Sequence, residues 1–137
     1  MPTTSIPSVR LYMDADTHAL SGDDDILVAV RRLLDEGITG APVLDDHGEV
    51  VGELSEYDCL RLLAEGRGGD MARGRVRDFM ATTFTTVSPA MDVYYVAGMF
   101  LNEPARRRFM VMDGQRLVGV VTRKDVLRAV HARLAAG

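Results

Sequence analysis

The sequence predicts an α/β (α+β) protein built from two β-α-β-β-α repeats, packed sheet to sheet with pseudo-two-fold symmetry. Three observations carry that expectation. The chain matches itself when slid by 67 positions. Each copy alternates short apolar runs with stretches of helical periodicity. One copy alone cannot bury its sheet, whereas two copies facing each other can, with the helices outside.

The self-match is specific. Residues 9–66 against 76–133 give 13 identities in 58 pairs, where ordinary residue usage would give about three or four. "VRLYM" (from Val9) falls on "VRDFM" (from Val76), and "VVGELSEYDCLRLL" falls on "LVGVVTRKDVLRAV" without a gap. Met13/Met80, Ser21/Ser88, Asp25/Asp92, Gly52/Gly119 and Asp58/Asp125 are among the identical pairs. The repeats are taken as 1–66 and 76–137, joined by a linker at 67–75 within the Gly- and Arg-rich "EGRGGDMARGR".

The elements follow in order. A short strand comes first, around "HAL" in copy one and "FTTV" in copy two. Ser21 and Ser88 are candidate caps of the next helix, with Pro89 at its first position, where a missing N–H costs little. Ile26, Val30, Leu33 and Leu34 share one helical face, as do Val93, Ala97, Phe100 and Leu101. Two strands come next, "APVL" and "VVGEL" around the turn "DDHGE", then "FMVM" and "LVGVV" around "DGQR". A second helix begins after Ser55 or Thr122 and is expected to bury Leu60 and Leu63, or Leu127 and Val130.

Composition narrows the function classes. The 137 residues are 47% hydrophobic and 26% charged, which is the balance of a soluble globular domain. A net charge of −4 argues against a non-specific nucleic-acid binder, although Arg67, Arg73, Arg75 and Arg77 cluster around the linker. Cys59 is the single cysteine, so no intrachain disulfide is possible. No apolar run suggests a membrane span, and "MPTTSIPSVR" lacks the pattern of a secretion signal. A cytoplasmic protein is expected, with no nucleic acid and no membrane among its partners.

The block "APVLDDHGEVVGELSEYD" and its echo "FMVMDGQRLVGVVTRKD" resemble a tandem pair of cystathionine-beta-synthase (CBS) domains, a Bateman module. The resemblance covers nearly the whole chain and rests on the paired order and spacing. It implies a regulatory module, not an enzyme, without a catalytic cofactor. Its regulatory ligand would be adenosine-containing: AMP, ADP, ATP or S-adenosylmethionine. It implies two clefts between the repeats, in which the Ser/Thr and Asp of one repeat meet the early strand of the other. It also implies a homodimer that signals to an effector protein, here a separate protein or a second copy.

Ser55 and Asp58 then have two readings, as do Thr122 and Asp125. Either pair is a capping box, Ser or Thr capping the helix while the acid reaches back. Or the carboxylate takes both hydroxyls of a ribose, beside a helix N-terminus that favours an anion. Both roles can coexist. The resemblance places basic residues before the strand that follows, where they touch phosphate. Arg106 and Arg107 stand there in copy two, while Thr39 and Gly40 stand there in copy one. One cleft is therefore assigned Thr122, Asp125, Arg106, Arg107, Ala15, Asp16, Ile38, Thr39 and Ala41. The other is assigned Ser55, Asp58, Thr82, Thr83 and Ala105. Arg106 and Arg107 rank the Asp125 cleft first. An inward Asp16 would repel a phosphate. The family's proline, present as Pro42, is Phe109 in copy two, where a ring would narrow a cleft or alter the base pocket.

Other features read as structural. Asp23 to Asp25 suit a helix dipole better than a metal. His18, His47 and His131 lack metal-ligand spacing. Cys59 reads as core or near-core, and "VYYVAGMF" as core or a dimer face. No nucleophile with a base is evident. The competing reading is a structural dimerisation module with empty clefts.

Overall fold

The computed structural model describes residues 6–65 and 73–136. Linker positions 67–72, Arg67 among them, and the side chain of Leu63 lie outside the described residues. The chain divides into two compact units, residues 18–84 and residues 85–137 together with those up to 17.

The copy-one unit contains β1 (Leu20–Ser21), α1 (Ile26–Glu36), β2 (Gly40–Leu44), β3 (Val50–Ser55), α2 (Glu56–Glu65) and α3 (Val76–Phe79). β1 runs parallel to β2, and β2 antiparallel to β3. The parallel pair needs a crossover, and α1 supplies it. Leu20, Ile26, Ala29, Leu33, Ala41, Val43, Leu54 and Val76 form the core. Asp25 starts α1 by accepting from the Leu27 N–H at 2.8 Å. Gly37 ends it at φ 66°, its N–H donating to the Leu33 and Leu34 carbonyls. In the β2–β3 turn Asp45 accepts from the N–H groups of His47 and Glu49. The Glu49 N–H is foremost in holding the Asp45 carboxyl below its ordinary value.

The copy-two unit repeats this order with β4 (Thr86–Val87), α4 (Val93–Asn102), β5 (Arg108–Asp113), β6 (Arg116–Thr122) and α5 (Arg123–Ala136). β4 is parallel to β5, and β5 antiparallel to β6. Val9, Val87, Val96, Phe100, Phe109, Val111, Val121 and Val126 form its core.

Sequence repeat and compact unit are offset from each other. The opening residues of each repeat fold onto the sheet of the other copy. A 3-10 turn at Val9–Leu11 docks on copy two, with the Val9 N–H donating to the Met91 carbonyl at 2.8 Å. Asp14 and Val120 then exchange backbone hydrogen bonds, both 2.9 Å. In the copy-one unit α3 does the same, the Val76 N–H donating to the Asp24 carbonyl at 2.9 Å. Ala81 and Glu53 exchange hydrogen bonds of 2.9 and 3.0 Å.

Several local expectations are corrected. Ser21 and Ser88 are not helix caps. They accept from the N–H groups of Asp23 and Ala90 in the preceding turn, while Asp25 and Asp92 do the capping. Pro89 lies in that turn, ahead of α4. The first strands shrink to two residues each. Leu34, Leu60, Leu101 and Leu127 are exposed. The buried stripe of α1 runs through Ile26, Ala29 and Leu33, whereas Val30 is half-buried and Leu34 exposed. Each of Asp23, Asp24 and Asp25 has a local partner: Arg75 and Arg77, the Ser21 N–H, and the Leu27 N–H.

Candidate functional site

At the start of α2, Asp58 Oδ2 accepts from the Ser55 N–H at 2.9 Å and the Ser55 hydroxyl at 3.0 Å. Ser55 Oγ in turn accepts from the Asp58 N–H at 3.3 Å. At the start of α5 the pattern is the same. Asp125 Oδ2 accepts from the Thr122 N–H at 2.8 Å and the Thr122 hydroxyl at 3.0 Å. The Asp125 N–H donates to Thr122 Oγ1 at 3.3 Å. Both pairs are thus reciprocal capping boxes. The cap uses one carboxylate oxygen, and a carboxylate has two.

The second oxygens differ. Asp58 is half-buried, and its Oδ1 takes no hydrogen bond among the described residues. Asp125 is buried, and its Oδ1 accepts from Arg128 Nη2 at 2.6 Å. The same guanidinium donates to the Tyr12 carbonyl at 3.3 Å. Arg128 was not singled out in the sequence. Its signal was available: Arg61 and Arg128 are identical at the 67-residue offset.

The other site residues fall into two matched sets by unit. With Ser55 and Asp58 in the copy-one unit are Ile38, Thr39, Ala41, Thr82 and Thr83. The Thr39 carbonyl accepts from the Glu56 N–H at 2.8 Å, and Gly40 pairs with Ser55. Thr82 and Thr83 are exposed, directly after the Ala81–Glu53 bridge. With Thr122 and Asp125 in the copy-two unit are Ala15, Asp16, Ala105, Arg106 and Arg107. Ala15 and Asp16 are exposed, directly after the Asp14–Val120 bridge, and the Asp16 N–H donates to Asp14 Oδ1 at 2.9 Å. Within the units, Ile38, Thr39 and Ala41 thus lie with Asp58, and Ala105 lies with Asp125.

Arg107 and Ala105 are exposed. Arg106 is largely buried. Its guanidinium lies 3.5 Å from Glu103 and 5.7 Å over the Phe109 ring. Arg123 closes this corner by donating to the carbonyls of Arg106 and Pro104. The Phe109 ring itself is fully buried in the copy-two core against Phe100.

Cys59 is half-buried against the copy-one core. Burial, and behind it the Asp58 carboxylate, push its thiol above the ordinary value. That disfavours the reactive thiolate at neutral pH. Among the described residues no three His, Cys, Asp or Glu side chains cluster as a metal site. No described helix is long and apolar enough to cross a membrane.

The CBS domain family matches this chain twice, at residues 8–65 and 76–132. An uncharacterized protein of Methanocaldococcus jannaschii, MJ1225, is 25% identical over 120 residues, which is 88% of this chain and 41% of that protein. The chain thus spans less than half the length of that relative. Among solved structures, CBSX2 of Arabidopsis thaliana in complex with AMP is 28% identical with a TM-score of 0.78, covering 91% of this chain and 96% of that one. The CBS domain pair of protein MJ0100, in complex with 5-methylthioadenosine and S-adenosyl-L-methionine, has a TM-score of 0.81 at 22% identity. That match covers 94% of this chain and 99% of the other, and it bears on the fold.

Proposed function

The chain belongs to the CBS domain family as a tandem pair, and we propose that the pair is a regulatory module for an adenosine-containing ligand: AMP, ADP, ATP or S-adenosylmethionine. It performs no chemistry on that ligand. It signals to an effector protein through the differential affinity of the ligand for two conformations. One observation carries the reading: both Ser/Thr–Asp caps use a single carboxylate oxygen, and the second, which a ribose diol would need, takes no hydrogen bond among the described residues at Asp58 and is held by Arg128 at Asp125. The AMP complex of CBSX2, a relative at 28% identity, supports the ligand class. With Cys59 as the single cysteine, a reducing, cytoplasmic setting belongs to the proposal.

The test is thermal unfolding with AMP, ADP, ATP and S-adenosylmethionine in turn. At least one should stabilise the protein saturably, by about 2.7 kcal/mol at one hundred times Kd. Asp58→Asn combined with Asp125→Asn should abolish the effect while the protein stays folded. A flat response to all four from folded wild type sinks the reading. The structural dimerisation module with empty sites would then stand, because each capping box is already complete without a ligand.

A homodimer is part of the proposal. Leu34 and Leu60 are exposed in one unit, Leu101 and Leu127 in the other, and the repeat offset relates the two pairs. A groove of about 400 Å³ between α4 and α5 is lined by Phe100, Leu101, Pro104, Val126 and Leu127. A second copy suits a face that the chain carries twice, since an isologous interface buries the same patch on both partners. Wild type should therefore scatter light as a dimer, and Leu101→Glu with Leu127→Glu as a monomer. A monomeric wild type, or a double variant of unchanged mass, would count against the dimer.

A further inference from the structure

The two carboxylates that share a capping role differ in what holds their second oxygen, and the helices that carry them also differ at the residue four positions beyond an arginine. Arg61 and Arg128 occupy equivalent places, three residues after Asp58 and Asp125. In α2 the residue at i+4 is Glu65, and Arg61 lies 3.5 Å from it, on the helix surface. In α5 that residue is Ala132. Without an acid one turn ahead, Arg128 turns back and sits on Asp125 at 2.6 Å. This is the side-chain pairing that helical spacing dictates, with the partner on the opposite side.

We infer that Arg128 is a latch on the copy-two site: it occupies the Asp125 oxygen that a ribose would need, so the two sites are inequivalent and the Asp58 site fills first. The inference rests on the ribose reading above and deepens it. The contact is charge-assisted and its carboxylate is buried, so it is a stronger competitor than water. The guanidinium itself is largely exposed and is readily rehydrated once displaced. A ligand with both ribose hydroxyls can replace Arg128 on Asp125. Displacing the guanidinium also removes its hydrogen bond to the Tyr12 carbonyl, two residues before Asp14. Filling the copy-two site would then loosen one tie on the segment leading to Ala15 and Asp16.

Two substitutions open the latch by different routes, both at exposed positions. Arg128→Met removes the guanidinium. Ala132→Glu keeps it and supplies the i+4 acid that Arg61 already has. Adenosine and AMP are titrated into wild type, both variants and Arg61→Met, with the amide signals of Ser55–Asp58 and Thr122–Asp125 reporting the two sites separately. Both opening variants should tighten adenosine binding at the Asp125 signals by about tenfold, the weight of one charge-assisted hydrogen bond. The Asp58 signals should titrate alike in all four proteins. A ligand-free crystal structure of Ala132→Glu should show Arg128 turned away from Asp125. Binding at Asp58 with an Asp125 site indifferent to Ala132→Glu overturns the latch alone. Weaker AMP binding in Arg128→Met and Ala132→Glu also overturns it, because Arg128 would then be a phosphate ligand. Absence of binding at both sites in every protein overturns the ribose reading, and the latch with it.

Discussion

Phe109→Ala should destabilise the copy-two unit by roughly 3–5 kcal/mol, the usual loss when a buried phenylalanine leaves a cavity. The ring is fully buried near the start of β5, opposite Val121. Its centroid lies 4.4 Å from that of Phe100, with the planes tilted by 40°. That is the close, inclined geometry that adds to simple burial. The loss is a large share of what domains of this size possess, since whole proteins are stable by only about 5–15 kcal/mol. Urea unfolding would measure it as a fall in midpoint at little-changed slope. A loss below about 1 kcal/mol would mean that the ring does not fill the core as described. Phe109→Leu should recover part of the loss by refilling volume. A second effect reaches the site: the Arg106 guanidinium lies over this ring at 5.7 Å, so the alanine variant also removes one of its supports. Beside the site, then, Phe109 acts from beneath, through the core.

That outcome explains one limit of the sequence. At the 67-residue offset Phe109 falls on Pro42, and the exchange read as a narrowed cleft or an altered base pocket. The strand register, however, slips by one, so that Phe109 faces Val121 as Ala41 faces Leu54, and Met110 faces Val120 as Pro42 faces Glu53. In strand periodicity a side chain points to one face or the other, but the pattern alone does not say which face is core. The element order was legible because apolar periodicity recurs in both copies, so each copy checks the other. Cap identity was less so: Ser21 precedes an apolar run, but Asp25 stands closer to it and takes the Leu27 N–H. Helical spacing put Leu34 on the apolar face of α1, but the buried face is turned toward Ala29, and Leu34 is exposed. The least legible feature was the placement of the opening segments. Asp14 pairs with Val120 across more than a hundred positions, and no local pattern encodes such a partner. For the site, both Ser/Thr–Asp pairs were legible as motifs, and the Arg61/Arg128 identity marked the arginine, but not that Arg61 would reach Glu65 while Arg128 reaches back to Asp125.

The two glycines just before those motifs carry the second large effect. A Cβ on Gly119 would lie 2.8 Å from the Asp14 carbonyl oxygen and 2.8 Å from Met13 Sδ. On Gly52 it would lie 2.6 Å from the Ala81 carbonyl oxygen and 2.8 Å from Met80 Sδ. The identities Met13/Met80 and Gly52/Gly119 therefore describe one contact made twice: an opening segment crossing a strand at a glycine, with a flexible thioether filling the space. The methionine can shift, but the carbonyl cannot, because Asp14 is held to Val120 by paired hydrogen bonds of 2.9 Å. Gly119→Ala should therefore cost about 1–3 kcal/mol for overpacking, and more if the bridge breaks. Gly52→Ala should do the same to the Ala81–Glu53 bridge. Gly98→Ala is the control: Gly98 sits within α4 with nothing within 4 Å of an added Cβ, so it should stabilise by about 0.5–1 kcal/mol. Denaturant unfolding of the three variants settles the stability half of the prediction, and Gly119→Ala as stable as wild type would refute it. The other half is local. Ala15 and Asp16 follow the bridge that Gly119 admits, and Thr82 and Thr83 follow the bridge that Gly52 admits. Each alanine should thus weaken nucleoside binding at its own Ser/Thr–Asp pair and spare the other. Equal weakening at both sites would mean that the opening segments play no separate part in either.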